Sequence, residues 1–407
     1  MNVLVLGGYG LIGDAVIGRL LRDGHHVTGL GRDVQDAGRR RPAVRWIAAD
    51  MSKLLAAEDW LPVVAGMDAV VNAAGALQDG PRDRLDAVHR GSVVALVAAC
   101  EQAGVHRFAQ ISAIGADLAS ANPFFSTKAQ GDQAVASSSL AWTILRPGLV
   151  IAPAAYGGTA LLRALATFPG FVPAEPLPPR LAVDLVEANA RPLAEVLTAL
   201  RAWLGLQPAR VVPMPAILGR LAGAVADMLG ILGWRSPLRS AALAAVARGV
   251  TGDAAAWNRI SGRPLQPLEA TLADMSANVQ ERWFGRLWLA KPVIFACLSL
   301  FWLVSGVVGL IRQEAAADIL VSHGVSASLA HILVLVGSAA DILVGAAVVV
   351  RSLARHALLA MIAITLSYLA GATLLVPGLW LDPLGPLVKT IPALCLVLVA
   401  LAVLDER

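Results

Sequence analysis

Three glycines near the start of the chain have the spacing of residues that hold a phosphate group. Gly7, Gly10 and Gly13 follow the apolar run at residues 3–6 and lead into a helical pattern; counted from Gly8, the glycines fit G-x-G-x-x-G. Because glycine lacks a Cβ, backbone N–H groups at such a turn can approach a pyrophosphate at the positive end of a helix. The stretch predicts a dinucleotide-binding loop, with contacts from Gly7, Tyr9, Gly10, Leu11, Ile12 and Gly13.

Arg32 follows the second predicted strand, where dinucleotide-binding proteins carry the residue that reads the ribose. An acidic residue at that position binds the 2′-hydroxyl, whereas an arginine accommodates a 2′-phosphate. Arg32 therefore favours NADP(H) over NAD(H). The adjoining Asp33 leaves the alternative that the two residues form a solvated charged loop.

Two further strand ends carry residues suited to a cofactor. Asp50 follows the third predicted strand, where its carboxylate would accept a hydrogen bond from the adenine amino group or, alternatively, cap the turn before Lys53. The fourth predicted strand ends in small side chains, which leave space for a flat cofactor. The cofactor residues predicted at these two ends are Asp50, Met51, Ala73, Ala74 and Gly75.

These residues need a scaffold that brings successive strand ends to one edge. Short apolar segments alternate with helical patterns in the first half of the chain, and strands are predicted at residues 3–6, 26–30, 44–48, 69–72, 107–112 and 142–145. This alternation predicts an α/β doubly wound parallel sheet of the Rossmann type, with helices on both faces. Ligands bind such sheets at the carboxyl ends of the strands.

The ordered series of motifs resembles the atypical short-chain dehydrogenase/reductases over about residues 1 to 160. It comprises the glycine loop, Asp50, NAAG at residues 72–75, Ser112, and the segments FFSTKAQGD and LAWTILRPGLV. The most similar group binds NAD(P)H and includes the nucleotide-binding accessory subunit of respiratory complex I. The resemblance implies that Lys128 binds the nicotinamide ribose and that Ser112 orients a substrate carbonyl, so these two are the predicted catalytic residues.

Phe124 is the main departure from this family. Active members carry a tyrosine four residues before the lysine, and it donates a proton to the substrate; loss of a general acid costs typically ~10²–10⁴ in rate. Relatives of the isoflavone-reductase type lack the tyrosine and are thought to use the lysine, so Lys128 keeps its predicted role. For Ser112 the alternative is a strand-end hydroxyl bonded to backbone.

The stretch after the sixth predicted strand is expected to form a small lobe over the substrate. Residues 152–180 are rich in proline, glycine and small side chains and include Tyr156, which could line the substrate cleft. The following segments, 182–188 and 193–204, nearly abut, which indicates a shortened lobe. We therefore assign residues 1–204 to the nucleotide-binding domain and 205–285 to a helical connecting segment, with helices at 218–232 and 240–250.

The composition indicates a second part that lies in lipid. Charged residues are 15% of the chain, against a typical ~25%, and apolar residues are 57%. Apolar runs of roughly 19 to 23 residues match the ~30 Å hydrocarbon core of a bilayer. They predict an all-α bundle of four transmembrane helices within domain 286–407, at residues 293–311, 328–350, 357–376 and 384–404.

Basic residues predict the orientation of these spans. The positive-inside rule places both termini and the nucleotide-binding domain in the cytoplasm, at a bacterial inner membrane, because basic residues concentrate on one side. Six fall on that side, Arg282, Arg286, Lys291, Arg351, Arg355 and Arg407, and two on the other, Arg312 and Lys389.

The four spans, with GSAADILVGAA at residues 337–347, resemble the small DoxX-like membrane domain. Asp341 falls near the middle of the second span, where a carboxylate is costly unless it meets partners, water or a ligand. We predict that it bonds to His331, Ser338 or a neighbouring helix and stabilises the bundle. The alternative is a proton or quinone site.

Together the two halves predict an NADP(H)-binding domain attached to the lipid bilayer. The leading hypothesis is an atypical short-chain oxidoreductase acting on a lipid-soluble substrate such as a quinone or isoprenoid. The alternatives are a non-catalytic NADP(H)-binding component of a membrane complex, with a structural, sensing or assembly role, and an epimerase- or dehydratase-like enzyme. A homo-oligomer is left open.

Charge and cysteine content exclude other classes of partner. The net charge is +4, without a basic run interleaved with aromatics, so no nucleic-acid partner is expected. The three cysteines, Cys100, Cys297 and Cys395, are far apart and predict neither a disulfide framework nor a metal site.

Overall fold

The chain divides into two compact units in the computed structural model. The first comprises Met1–Asp227 with Pro237–Asn278, and the second comprises Met228–Ser236 with Val279–Arg407. The structure describes residues 1–80, 83–154, 158–168, 171–174, 191–213, 215–234, 236–240, 243, 253–262, 264–383 and 385–405. Tyr156, the predicted segment 182–188 and most of the predicted helix 240–250 lie outside these residues.

A six-stranded parallel sheet forms the centre of the first unit. Its strands are β1 (Asn2–Leu6), β2 (His26–Gly31), β3 (Arg45–Ala48), β4 (Ala69–Asn72), β5 (Arg107–Ile111) and β6 (Ala141–Leu145). They lie in the order β3-β2-β1-β4-β5-β6, and each neighbouring pair is parallel. The chain therefore winds outward from β1 in one direction and then from β4 in the other, which confirms the predicted doubly wound fold.

The side chains of β1 show how the sheet is covered on both faces. Val3 and Val5 pack in one hydrophobic core with Ile17, whereas Leu4 and Leu6 pack in another with Trp60. Successive residues of a strand point to opposite faces, so a continuous apolar run buries both. The helices of this region are α1 (Leu11–Arg22), α2 (Gln35–Arg40), α3 (Ala57–Val64), α4 (Ser92–Gln102) and α5 (Pro123–Ala136).

One predicted helix of this region has two parts. The pattern predicts a single helix over about residues 85–103, but Ala87–Gly91 forms a turn of π-helix and α4 begins only at Ser92. Turns of this kind are rare and frequently occur at functional sites. The change of winding decides which residues face α5, and it places His89 in the buried part of the unit.

A smaller lobe follows the sheet. It contains α6 (Gly158–Ala166), β7 (Phe171–Ala174), α7 (Leu193–Trp203) and β8 (Arg210–Pro213), and β7 pairs in parallel with β8. Leu197 and Leu200 of α7 are buried against Leu162 of α6. The connecting segment has the helices α8 (Ala216–Ile231), α9 (Ala254–Ser261) and α10 (Leu268–Ala273), and α8 corresponds to the predicted helix 218–232.

The second unit consists of helices. They are α11 (Val279–Ile311), α12 (Gln313–Val321), α13 (Ala327–Ala347), α14 (Ala354–Leu375) and α15 (Pro386–Ala402). Among the residues that the structure describes, α11, α13 and α14 are long and apolar enough to cross a membrane. The fourth predicted span falls on α15, which is apolar but has only 17 residues, because a proline starts the helix at Pro386.

The first span is longer than predicted. α11 starts at Val279 and continues through Pro292, so the basic and aromatic segment at residues 282–292 belongs to the same helix as the apolar span. The spans pack around a core that includes Leu298, Trp302 and Met361. The short helix α12 lies between the first and second predicted spans, where no helix was predicted.

Candidate functional site

The glycine loop joins β1 to α1 and lies directly against the end of β4. Gly7 has a φ of +65°, and a Cβ on it would lie 2.8 Å from Cα of Ala74. A Cβ on Gly13 would collide with the carbonyl oxygen of Gly7, and Gly10 donates a 2.8 Å hydrogen bond to that oxygen. Side chains are therefore excluded at Gly7 and Gly13, and the backbone of this turn at the start of α1 fits a dinucleotide phosphate.

Tyr9 and Arg32 meet at the end of β2. The ring of Tyr9 occupies the space where a Cβ on Gly31 would lie, and its hydroxyl accepts hydrogen bonds from the backbone N–H groups of Arg32 (3.1 Å) and Asp33 (3.5 Å). The guanidinium of Arg32 forms a 2.9 Å ion pair with Asp83. The predicted ribose-reading residue is thus held in place by two other side chains.

Asp50 occupies the capping position of a short turn after β3. Its Oδ1 accepts hydrogen bonds from the backbone N–H (3.1 Å) and the hydroxyl (2.8 Å) of Ser52, which is the capping alternative. Met51 is buried in the core, so only its backbone could reach a cofactor. Leu11 and Ile12 form the first turn of α1 and are half-buried.

Asn72 fixes the path of the chain after β4. Its Nδ2 donates to Oε1 of Gln110 (2.9 Å), and its Oδ1 accepts from the backbone N–H two residues further on (3.2 Å). Ala73 and Gly75 follow in this segment, and a Cβ on Gly75 would lie 3.3 Å from Nζ of Lys128. The small side chains thus allow the end of β4 to lie close to the lysine.

Lys128 is buried beside the end of β5. Its Nζ donates a 3.0 Å hydrogen bond to the carbonyl oxygen of Ile111. Burial lowers the pKa of Lys128 to about 8, and the carboxylate of Asp132 opposes this change. A lysine with this pKa can hold or release a proton near neutral pH.

Ser112 contacts a carboxylate, which neither sequence-based interpretation anticipated. Its hydroxyl donates a 2.6 Å hydrogen bond to Oδ2 of Asp132, and the guanidinium of Arg146 donates to the same oxygen at 3.1 Å. Oδ1 of Asp132 is buried and has no hydrogen-bond partner among the described residues. Because the hydroxyl of Ser112 already donates its hydrogen bond to Asp132, it would have to exchange partners to donate to a substrate carbonyl.

His89 lies beside the lysine and in contact with Phe124. Its Nε2 accepts the backbone N–H of Ala76 (3.1 Å), so the ring proton is on Nδ1 and is donated to the hydroxyl of Thr127 (3.0 Å). Burial, together with the charge of Lys128, lowers the pKa of His89 to about 2. The ring of Phe124 packs edge-on at 5.6 Å between centroids. The family's tyrosine position is therefore apolar and faces a neutral imidazole.

Four residues of this cluster were missed by sequence reasoning, namely His89, Thr127, Asp132 and Arg146. Asp132 had a usable signal, because it lies four residues after Lys128 and hence on the same helix face. Arg146 directly follows β6, at the edge where ligands bind. His89 had no such signal, since its direction depends on the π-helical turn.

Asp341 connects three helices of the second unit. Its two oxygens accept hydrogen bonds from the hydroxyls of Ser305 on α11 and Tyr368 on α14, each at 2.9 Å. The partners are thus on neighbouring helices, which was one form of the stabilising role predicted for this residue. His331 and Ser338, the partners named from the sequence, do not take part in these two bonds.

Comparison with known proteins identifies the two parts of the chain. Residues 7–171 match a family described as NAD(P)H-binding, and residues 299–398 match the DoxX-like family. The chain therefore has an N-terminal NAD(P)H-binding domain of the Rossmann type and a C-terminal DoxX-like domain with apolar helices. The predicted resemblances to NAD(P)H-binding proteins and to the DoxX-like domain are confirmed, and the three long apolar helices together with the DoxX-like match indicate a membrane protein.

Individual relatives are distant. The UPF0659 protein YMR090W of Saccharomyces cerevisiae is 28% identical over 159 residues, which cover 36% of this chain and 69% of that protein. The structure of Bordetella bronchiseptica WbmH with NAD+ is 15% identical and covers 67% of this chain and 96% of that chain, with a TM-score of 0.48. A nucleoside-diphosphate-sugar epimerase of Staphylococcus aureus is 14% identical over 67% of this chain and 99% of that chain, also with a TM-score of 0.48. These similarities are too low to bear on the substrate.

Proposed function

We propose that this protein is a membrane-anchored NADP(H)-binding oxidoreductase of the atypical short-chain type, acting on a lipid-soluble substrate such as a quinone or isoprenoid. The observation that carries the proposal is the position of Lys128. This buried lysine, with a pKa lowered to about 8, lies at the strand ends beside Gly75 in a chain that also has a DoxX-like membrane domain.

The residues of the site divide the work of binding and proton transfer. A nicotinamide ring, when bound, supplies or accepts the hydride. Gly7, Gly10 and Gly13 would hold the phosphates at the start of α1, and Ala73, Ala74 and Gly75 would leave the space beside them. Lys128 would bind the ribose and, because its pKa is near neutrality, would hold the proton that the missing tyrosine would otherwise give.

The preference for NADP(H) rests on Arg32. Its position after β2 suits a 2′-phosphate, and its guanidinium already pairs with one anionic group, Asp83. A phosphate would take over part of that pairing, whereas the two hydroxyls of NAD(H) would compete poorly with a carboxylate. We therefore expect tighter binding of NADPH than of NADH.

The fusion of the two parts supports a lipid-soluble substrate. A quinone or isoprenoid is concentrated in the bilayer, and apolar spans would keep the nucleotide-binding domain next to it. In the same proposal the membrane is a bacterial inner membrane, and both termini lie in the cytoplasm, where NADPH is available.

The proposal is tested with detergent-solubilised full-length protein. Nucleotide affinity is measured for NADPH and NADH with wild type, Arg32→Ala and, as a control, Arg22→Ala, an exposed arginine at the end of α1. We expect Arg32→Ala alone to weaken NADPH binding. NADPH oxidation is then followed with an added quinone. Absence of nucleotide binding would overturn the proposal, and binding without oxidation of any lipid-soluble acceptor would leave only the second candidate.

The second candidate is a non-catalytic NADP(H)-binding component of a membrane complex. Two observations favour it: Phe124 puts an apolar ring against His89, and the hydroxyl of Ser112 already donates its hydrogen bond to Asp132. Lys128→Ala separates the two functions, with exposed Lys53→Ala as the matched control. Loss of turnover with nucleotide still bound supports the enzyme, whereas altered recovery of a membrane complex supports the second candidate.

A further inference from the structure

The helix α8 has its apolar side turned outward. Six large apolar residues are between 51% and 76% exposed, and at 100° per residue they share one continuous face of the helix. They are Ile217, Leu218, Leu221, Val225, Met228 and Ile231. By contrast, α7 of the same unit buries Leu197 and Leu200 completely. An apolar face of this size is unusual on a surface in contact with water.

The other face of α8 is occupied by the chain itself. Ala226 is buried, and Asp227 accepts a hydrogen bond from the guanidinium of Arg239 at 3.0 Å. A Cβ on Gly223 would lie 3.4 Å from the backbone of Ser240. Small and polar residues thus pack inward, which is the reverse of the pattern in a water-soluble helix. The same inverted pattern occurs on the spans, where Leu300 and Leu343 are exposed.

The C-terminal end of α8 belongs to the second unit and is fixed there by contacts of the residues that follow it. Residues 228–236 belong to that unit, and the carbonyl of Leu232 accepts a 3.0 Å hydrogen bond from the backbone N–H of Arg351. The indole N–H of Trp234 donates to the carbonyl of Val349, and Lys291 and Arg351 lie 5.8 and 5.7 Å from its ring. Tryptophan and basic side chains are typical of the membrane–water interface.

We propose that α8 is an interfacial helix that lies in the head-group region of the leaflet next to Trp234, with its six apolar side chains in the acyl chains. α8 has 16 residues, which is short for a span, and its large apolar side chains share one face, as in helices that lie in the interface. The occupant of its outer face is lipid because α8 leads directly to Trp234, whose indole lies beside two basic side chains, the combination typical of a membrane–water interface. This contact adds a second attachment of the nucleotide-binding unit to the bilayer, and it does not depend on the proposed function.

The test measures what a spin label on α8 collides with. Full-length protein is prepared with Cys100, Cys297 and Cys395 replaced by alanine and with one new cysteine, from Leu221→Cys, Met228→Cys or, as a control, Leu118→Cys. Leu118 is an equally exposed leucine in a loop of the nucleotide-binding unit. The labelled protein is reconstituted in vesicles of phosphatidylethanolamine and phosphatidylglycerol, and power saturation is recorded with oxygen and with a water-soluble nickel complex.

We expect the ratio of oxygen to nickel accessibility to be several-fold higher at Leu221 and Met228 than at Leu118, because oxygen partitions into acyl chains and the nickel complex does not. Two results would overturn the proposal. Nickel-dominated collisions at Leu221, as at Leu118, would show that the face is in water. Low collision rates with both reagents would show that protein, for example a second copy of this chain, covers it.

Discussion

Two buried aspartates, one in each unit, use similar donors in different surroundings. Asp132 on α5 accepts a hydrogen bond from the hydroxyl of Ser112 and is paired with the guanidinium of Arg146. Asp341 on α13 accepts its hydrogen bonds from the hydroxyls of Ser305 and Tyr368. A cation therefore compensates the first carboxylate, whereas both donors to the second are neutral.

The difference indicates what each cluster does. Asp132 and its partners come from α5 and from the ends of β5 and β6, the edge where ligands bind, and the Asp132 carboxylate acts electrostatically on Lys128. A compensated charge there can hold neighbouring protons in fixed positions. Asp341 instead takes one donor from each of two other helices, so its bonds tie the spans to one another. Under the proposed function the first cluster would serve chemistry, whereas the bonds of the second connect packed helices.

The largest expected effect is the pH dependence of stability that comes from Lys128, whose positive charge Asp132 favours. The pKa of Lys128 is about 8 in the folded protein against 10.5 ordinarily, so the unfolded chain binds more protons between these values. Burial of the Lys128 ammonium group lowers the free energy of unfolding by its full amount below pH 8, and this cost disappears above pH 10.5. Lys128 should therefore contribute about 3 kcal/mol of stability across this window, at about 1.4 kcal/mol for each pKa unit. Above pH 9 buried Cys100, whose pKa is raised to about 12, opposes this gain, because its thiol ionises more readily in the unfolded chain.

Urea unfolding measured from pH 7.5 to 10.5 checks this expectation. NMR of fluorotryptophan at buried Trp60 reports on the first unit alone. Lys128→Met should remove the rise in stability, whereas exposed Lys53→Met should keep it. If the free energy of unfolding of Lys128→Met rose with pH as much as that of wild type, groups other than Lys128 would cause the rise.

Removing Asp132 should have the next largest effect. Asp132→Ala leaves Arg146 and the Ser112 hydroxyl without their acceptor, and because the arginine side chain is 34% exposed we expect a loss of about 2 kcal/mol, below the range for fully buried pairs. The same fluorine signal in urea measures it. Arg146→Met in the Asp132→Ala background should restore part of the loss, and no restoration would mean that packing, not the unpaired charge, dominates.

Removing Asp341 should cost less, although the residue lies in a span. Hydrogen bonds between membrane helices contribute about 0.6 kcal/mol each on average, so Asp341→Ala should lower the stability of the second unit by about 1 kcal/mol. Unfolding in mixed micelles of rising SDS content measures this, with exposed Asp318→Ala on α12 as the control. A loss as large as that for Asp132 would contradict the distinction between the clusters.

The sequence predicted the sheet and the glycine loop well, for a physical reason. Strand and helix periods, and the requirement for glycine at Gly7 and Gly13, are local properties that appear in neighbouring residues. The strands predicted at residues 69–72 and 107–112 begin and end within one residue of β4 and β5. Three of the four predicted spans correspond, for the same reason, to long apolar helices among the described residues, and the fourth falls on the shorter α15. The first helix begins earlier than predicted and runs through Pro292, whereas α15 begins at Pro386.

The arrangement of the site was less predictable, because it depends on long-range contacts. Ser112 and Asp132 are 20 residues apart and meet only once β5 and α5 are packed. His89 reaches Thr127 through a π-helical turn that the apolar pattern does not reveal. Asp50 shows the opposite case: its capping role was predictable because its partner, Ser52, is two residues away.

The smallest expected effects come from removing a single tyrosine hydroxyl in each unit. The hydroxyl of Tyr9 accepts backbone N–H groups at an exposed strand end, where water can replace it, whereas that of Tyr368 donates to a carboxylate between helices. We expect Tyr9→Phe to cost about 0.5 kcal/mol or less and Tyr368→Phe slightly more, about 0.6 kcal/mol. The fluorine signal and the SDS titration measure the two losses.

Tyr9→Phe should also free the backbone near Arg32 and change NADPH affinity less than twofold. If Tyr9→Phe instead abolished nucleotide binding, the hydroxyl would belong to the nucleotide-binding site itself. Its role would then be ligand binding and not only the support of a strand end.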